Sequence, residues 1–307
     1  MTSLFREGEY TPNGLAEHEA DGARMNPDRI TIHFTSAPSL GDLQALAKQA
    51  LDAGAQSLIV LAADGNDCDP AVFDPWLQSL PVTVAGGVFT QLIHEQRHHE
   101  QGYLVLGWPE AVQVRHVGGL SDPAVDFTER VSAALGDTLD STSLMVWVDG
   151  LSSRIAAFLD GLYDVMGADV AYFGGGAGSL SFVQKPCLFS NQGMRQDHAQ
   201  LVCMTQTVSL GVDHGWQPFS GPFVVTQSRG NVVQSLDFQP AFQVYRSKVE
   251  ADSGKVFRDD NFFDIAKGYP FGMEKADHSL VVRDPISTDG SALICVGEVP
   301  VNSASTC

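Results

Sequence analysis

Several short stretches hold residues whose types and spacing suit chemistry. The sharpest pattern is HEQRH, His94 to His98, which fits H-E-x-x-H. On a helix that spacing sets both histidines on one face as zinc ligands, with Glu95 placed to activate a metal-bound water, as in a zinc peptidase. Every side chain from 94 to 101 is polar, whereas a zinc-peptidase helix is buried and runs through apolar residues. An exposed connection between two strands therefore accounts better for the segment, and the peptidase is the distant alternative. In FGGGAG (173–178), Gly174, Gly175 and Gly176 follow a strand, where backbone amides can cradle a small ligand or allow close approach of another chain. The stretch is neither G-x-G-x-x-G nor a phosphate loop, since no lysine or helix follows, and a nucleotide site is not expected. Arg283, at a strand end in VVRDPI, suits a carboxylate clamp or a local pair with Asp284. His214 lies in VDHGWQPF beside Trp216 and Phe219, and is open to three roles: ligand, catalytic group or packed turn residue.

These residues need elements to hold them. RITIHF (29–34) alternates like a strand, and Leu43, Leu46, Ala47, Ala50 and Leu51 then recur at helical spacing. SLIVLAA (57–63) and PVTVAGGVF (81–89) read as buried strands with a short helix, Val72 to Leu80, between them. GYLVLGW (102–108) and AVQVRHV (111–117) are close enough to predict a hairpin. A second helix carries Phe127, Val131, Ala134, Leu135 and Leu139, and a buried strand follows at 143–150. A third helix carries Ile155, Phe158, Leu159, Leu162 and Met166, with Ser152 or Ser153 as its cap. From 168 the chain turns β-rich, apart from a helix around Ala241 to Val249. The expected fold is α/β, with mixed, largely antiparallel sheets flanked by helices. No internal repeat or heptad pattern is evident. The expected domains are a polar lead-in at 1–28, a ligand-sensing domain at 29–226 and a second domain at 227–307.

Charge narrows the partners. With 37 acidic against 18 basic residues, the formal charge of −19 disfavours nucleic acid and anionic membrane surfaces. No apolar run reaches the roughly 20 residues needed to cross a bilayer, and no signal-peptide pattern opens the chain, so a cytoplasmic protein is expected. The five scattered cysteines form neither a disulfide framework nor a zinc-finger pattern.

Taken in order, GGVFTQLI, MVWVDGLSS, YFGGGAGSL, GVDHGWQPF, VVTQSRGNVVQSLDFQPAFQVY, YPFGM, VVRDPI and ICVGEVP resemble the FIST family of bacterial sensory proteins, over residues 29 to 300. The resemblance implies a signal-input module with FIST N-like and FIST C-like parts, the latter truncated at Cys307. It is similar to the NosP branch, which implies haem b, nitric oxide as the signal, and a separate histidine kinase or cyclic-di-GMP enzyme (diguanylate cyclase or phosphodiesterase) as partner, with room for a homo-oligomer. On that reading His214 is the proximal haem ligand and Trp216 and Phe219 wall its pocket, with His33, His116 and His278 next in line. The alternative is a FIST module without haem that senses a small metabolite such as an amino acid, held by Gly174 to Gly176 and Arg283. No kinase, cyclase or DNA-binding signature is present, so the signal has to pass to another chain.

Overall fold

Continuous apolar runs such as SLIVLAA arise where a strand is covered on both faces, and the computed structural model shows what covers them. It describes residues 2–7, 29–136, 141–211, 214–274, 280–297 and 299–301. The chain divides into two compact units, Met1–His18 with Val212–Cys307, and Glu19–Gly211. The expected boundary near 226 lies inside a strand.

The first strand, β1 (Thr2–Glu7), belongs to the unit that also holds the chain from Val212. The other unit contains β2 (Thr31–Thr35), α1 (Leu40–Asp52), β3 (Ser57–Ala63), α2 (Pro70–Ser79), β4 (Thr83–Phe89), β5 (Leu92–His94), β6 (Arg97–His99) and β7 (Tyr103–Trp108). It continues with β8 (Gln113–Gly118), α3 (Phe127–Leu135), β9 (Ser143–Asp149), α4 (Ile155–Met166), β10 (Ala171–Ala177) and β11 (His198–Met204). Leu139, expected in the second helix, lies outside the described residues.

Two four-stranded sheets are built, in the orders β2-β7-β3-β4 and β8-β11-β9-β10. In each, the first three strands pair antiparallel and the last two, joined through a helix, pair parallel. The unit is thus an internal duplication: β2, α1, β3, α2, β4 and β7 recur as β8, α3, β9, α4, β10 and β11. This corrects the expectation of no repeat. It also corrects the expected hairpin between residues 102–108 and 111–117, because β7 closes the first sheet while β8 opens the second and pairs with β11.

Alternation along the strands sorts the layers. Leu58, Val60 and Ala62 of β3 face α1 and α2, while Leu144, Val146 and Val148 of β9 face α3 and α4. Ile59, Ala85, Met145, Val202 and their neighbours fill the space between the sheets. Helices therefore flank two facing sheets, and every central strand is buried on both sides. The register of the two halves matches at one unusual point: Gly86 lies opposite Val60, and Gly174 lies opposite Val146. Both glycines have positive φ, 114° and 148°. A Cβ at either would land on the carbonyl oxygen of the opposing valine.

The outer edge of β4 is covered by the connection between β10 and β11. Gly87 forms an antiparallel bridge with Leu188, flanked by Val88 N–H donating to Cys187 O (2.7 Å) and Phe189 N–H donating to Gly86 O (2.9 Å). Phe189 is fully buried and stacks on Phe73 of α2 at 6.1 Å. The other outward amides are also satisfied: Val84 N–H donates to Asn191 Oδ1 (3.0 Å) and Gly86 N–H to Oε1 of the buried Gln200 (3.1 Å).

The second unit comprises β1, β12 (Trp216–Phe223), β13 (Val225–Arg229), β14 (Val232–Leu236), β15 (Gln239–Pro240), α5 (Ala241–Ser253), α6 (Phe262–Ala266), β16 (Phe271–Glu274), β17 (Leu280–Arg283), β18 (Pro285–Thr288) and β19 (Leu293–Cys295). Residues 2–7, expected as polar lead-in, pair on one side with β12 and on the other with β16. An aromatic core of Tyr245, Phe257, Phe262 and Phe271 packs under α5. Among the described residues no helix is long and apolar enough to cross a membrane. The mixed, largely antiparallel α/β fold is as the sequence led one to expect.

Candidate functional site

Gly174 to Gly176 do not form a loop after a strand; they are the strand, β10, at the exposed edge of the second sheet. Tyr172, Gly174 and Gly176 share the face that Val146 and Val148 present to α4. Because two successive positions on that face lack side chains, space opens between helix and sheet. A cavity of about 630 Å³ results, lined by Val146, Val148, Leu159, Leu162, Tyr163 and Tyr172 with the glycine backbone. No charged side chain lines it. Leu159 and Tyr163 remain 46% and 54% exposed at its rim, high for apolar side chains on a packed helix. The Tyr172 hydroxyl is turned away to donate to Gly167 O (2.6 Å), so its ring is what remains for a ligand.

The rim is held by a polar network at the end of β9. Asp149 is almost fully buried and accepts from Asp197 N–H (2.7 Å), Gln184 Nε2 (2.8 Å) and Leu151 N–H (3.1 Å). Asp197 accepts from the hydroxyls of Ser121 (2.7 Å) and Ser152 (2.8 Å). Burial opposes ionisation of Asp197, but those hydroxyls outweigh it and hold the carboxyl below its usual range. Ser152 therefore anchors the connection from β10 to β11 instead of capping α4, whose N-cap is Arg154 without a side-chain cap bond. Burial pushes the thiols of Cys68 and Cys295 up to about 12, and Cys187 is raised by the same cause, so these cysteines are packed thiols and not nucleophiles.

The other expected sites fall elsewhere. HEQRH is a β-hairpin: Glu95 and Gln96 form its turn with φ of 47° and 62°, the positive pair that a two-residue hairpin turn needs. His94 pairs with Arg97 and His98 pairs with Ile93, so the two histidines point to opposite faces. His94 and His99 instead flank Phe34, with ring centroids at 4.4 and 4.5 Å. The helix that a zinc-peptidase site requires is not formed, and among the described residues no group of three or more metal-ligating side chains is found.

Arg283 ends β17 in the other compact unit, where its Nη1 donates to Val282 O (3.0 Å) and its guanidinium lies close to Gly297. His214 precedes β12, and its Nδ1 accepts the backbone N–H of Trp216 (3.0 Å). A neutral imidazole whose Nδ1 accepts carries its proton on Nε2, the reverse of what a haem ligand binding through Nε2 requires. Phe219 packs edge-on against Tyr269 at 5.4 Å and joins the aromatic core. In this arrangement the bond at Nδ1 does not fit His214 as a haem ligand; His214 holds the start of β12 and Phe219 packs into the aromatic core. Of the alternatives, His33 Nε2 bonds Thr31 Oγ1 (3.1 Å), His116 sits on β8, and His278 lies outside the described residues.

The lining from β9 and α4 was not singled out from the sequence. Its signal is the pair Leu159 and Tyr163, apolar residues one turn apart beside the buried stripe of Phe158 and Leu162, combined with glycines at alternate strand positions.

No curated protein matches the chain. The FIST N domain model does, over residues 56–239, a span that starts one residue before β3 and takes in the cavity, the Asp149 network and His214. That span is more than half of the chain, the family is one of sensory domains, and the protein therefore belongs to the FIST family through its FIST N domain.

Proposed function

We propose that the protein is a cytoplasmic signal-input module that takes an uncharged, largely apolar ligand into the cavity between α4 and the β9–β10 edge. The observation that carries this is the cavity itself, about 630 Å³ and lined by apolar side chains and glycine backbone, with no charged group. Its size falls in the range of small-molecule sites, and its composition favours burial of apolar surface over capture of a carboxylate. Membership of a sensory family supports a binding role over catalysis. On the resemblance to the NosP branch, the recipient of the signal is a kinase or cyclic-di-GMP enzyme.

The test is binding of a neutral fluorescent apolar probe, Nile red, to wild type and to Val148→Phe, which projects a larger ring into the cavity. Wild type is expected to bind with enhanced, blue-shifted emission, and Val148→Phe to bind at least tenfold more weakly with its fold retained. A ligand at a hundred times its dissociation constant is expected to stabilise the wild type by about 2.7 kcal/mol. Equal binding by both proteins would remove the cavity from consideration.

The FIST C-like region and the NosP-like haem reading rest on motif resemblance alone. Haem is tested by its absorption spectrum after reconstitution: given the hydrogen bond to Nδ1 of His214, His214→Ala is expected to leave any Soret band unchanged. Loss of the band in that variant would reinstate His214 as the ligand.

A further inference from the structure

The duplication supplies a comparison inside the molecule. In the first repeat, the space between α2 and the β4 edge is filled by the chain itself: Cys187 to Phe189 lie antiparallel along β4, and the Phe189 ring enters against Phe73 and the helix. The backbone groups that receive it are Gly86 C=O and Val88 N–H. Through the shared register, their counterparts in the second repeat are Gly174 C=O and Gly176 N–H, on a strand edge where all three glycines are exposed. Phe73 and Leu77 of α2 correspond likewise to Phe158 and Leu162 of α4, buried four residues apart in both. One position along, the helices differ. Asp74 of α2 accepts Met194 N–H (2.8 Å) and secures the covering segment, whereas α4 offers Leu159, and a turn later Tyr163, both apolar and half exposed.

Deepening the function proposed above, on which it rests, we infer that the occupant of the β10 edge and its cavity is an extended peptide segment of a partner protein, added antiparallel to β10 with an aromatic side chain opposite Gly174. Strand addition satisfies the outward N–H and C=O groups, and pockets for alternate side chains give specificity. Gly174 and Gly176 lack side chains on the helix-facing side, so the cavity takes the aromatic ring that in the first repeat is Phe189. The apolar rim of Leu159 and Tyr163 then covers the segment without needing an Asp74-like tether. An acidic protein of formal charge −19 favours basic residues beside that segment; in the internal one Lys185 precedes it and Arg195 pairs opposite Leu188.

The probe is a fluorescently labelled peptide of residues 185–191 (Lys-Pro-Cys-Leu-Phe-Ser-Asn), read by anisotropy under reducing conditions. It is expected to bind the wild type saturably, and the same peptide with Phe189→Ser at least tenfold more weakly. Gly176→Pro removes the outward N–H at a strand edge, where proline is tolerated, and is expected to weaken the peptide at least tenfold. Should that variant fail to fold, Leu159→Asp, altered at an exposed position, is expected to produce the same loss. Nile red binding without peptide binding, or equal affinity for the native and Phe189→Ser peptides, overturns strand addition and leaves the small-ligand cavity standing. Binding of neither probe removes both. Peptide affinity unchanged in Gly176→Pro and Leu159→Asp also overturns the assignment to β10.

Discussion

Gly174→Ala and Gly86→Ala are each expected to destabilise the protein by about 3–5 kcal/mol, the scale of a backbone-strain change combined with a steric clash. Both positions hold positive φ, at which an L side chain is strained, and in both the added Cβ falls on a valine carbonyl across the parallel pair. Neither neighbour can retreat, because Val60 and Val146 belong to central strands held between a helix layer and the opposite sheet. Gly175→Ala is the control: its nearest neighbour would be Trp147 Cζ3 at 3.8 Å, ordinary contact, and a change within about 1 kcal/mol is expected. Urea denaturation of the three variants reads the difference directly. Coincident midpoints would show that the glycines are there for flexibility and not for strand approach.

The second large effect is expected from His116. Burial, then the positive charges of His198 and Arg195, lower its pKa from 6.5 to about 4, and its Nδ1 is buried without a hydrogen-bond partner among the described residues. Its folded pKa lies below its unfolded one, so the unfolded chain takes the proton more readily. The stabilising contribution is complete above pH 6.5 and is lost as pH falls towards 4. The full gap corresponds to at most about 3 kcal/mol, less after allowance for the partly exposed ring. Depression of the Asp197 carboxyl adds loss at acid pH, while Asp284, raised by burial against the pull of Arg283, acts in the opposite sense. His116→Gln separates them: its unfolding free energy is expected to vary less between pH 7 and 4.5 than that of the wild type. Identical slopes would mean that the imidazole is not held neutral by the fold.

Secondary structure was legible wherever one period dominated. Leu43 to Leu51 predicted α1, and the apolar runs at 57–63 and 143–150 predicted β3 and β9, because helix stripes and doubly covered strands leave plain patterns. Pairing was less legible. Nearness in sequence favoured a hairpin for β7 and β8, yet the chain between them crosses from one repeat to the next. The duplication was open to view in SLIVLAADG followed by AGG, and SLMVWVDG followed by FGG, but the matching positions are buried aliphatics that many strands share. Close backbone approach, one of the two readings the glycine run offers, holds at Gly174, which faces the Val146 carbonyl, and not at Gly175. The place of the glycines on an edge strand over a cavity was not readable, because it depends on which strand lies outermost, a property of the sheet order and not of the segment.

The cover on β4 has a consequence for synthesis. Strand β4 ends at Phe89, while its covering segment ends at Phe189, in the second repeat. At about 5–20 residues per second, the ribosome needs roughly 5–20 s to make the intervening hundred residues, and until then a nascent first half presents a bare apolar edge. Holdase chaperones would find their target in that interval, and a ribosome stalled between the repeats would release a fragment prone to pair with its own copies.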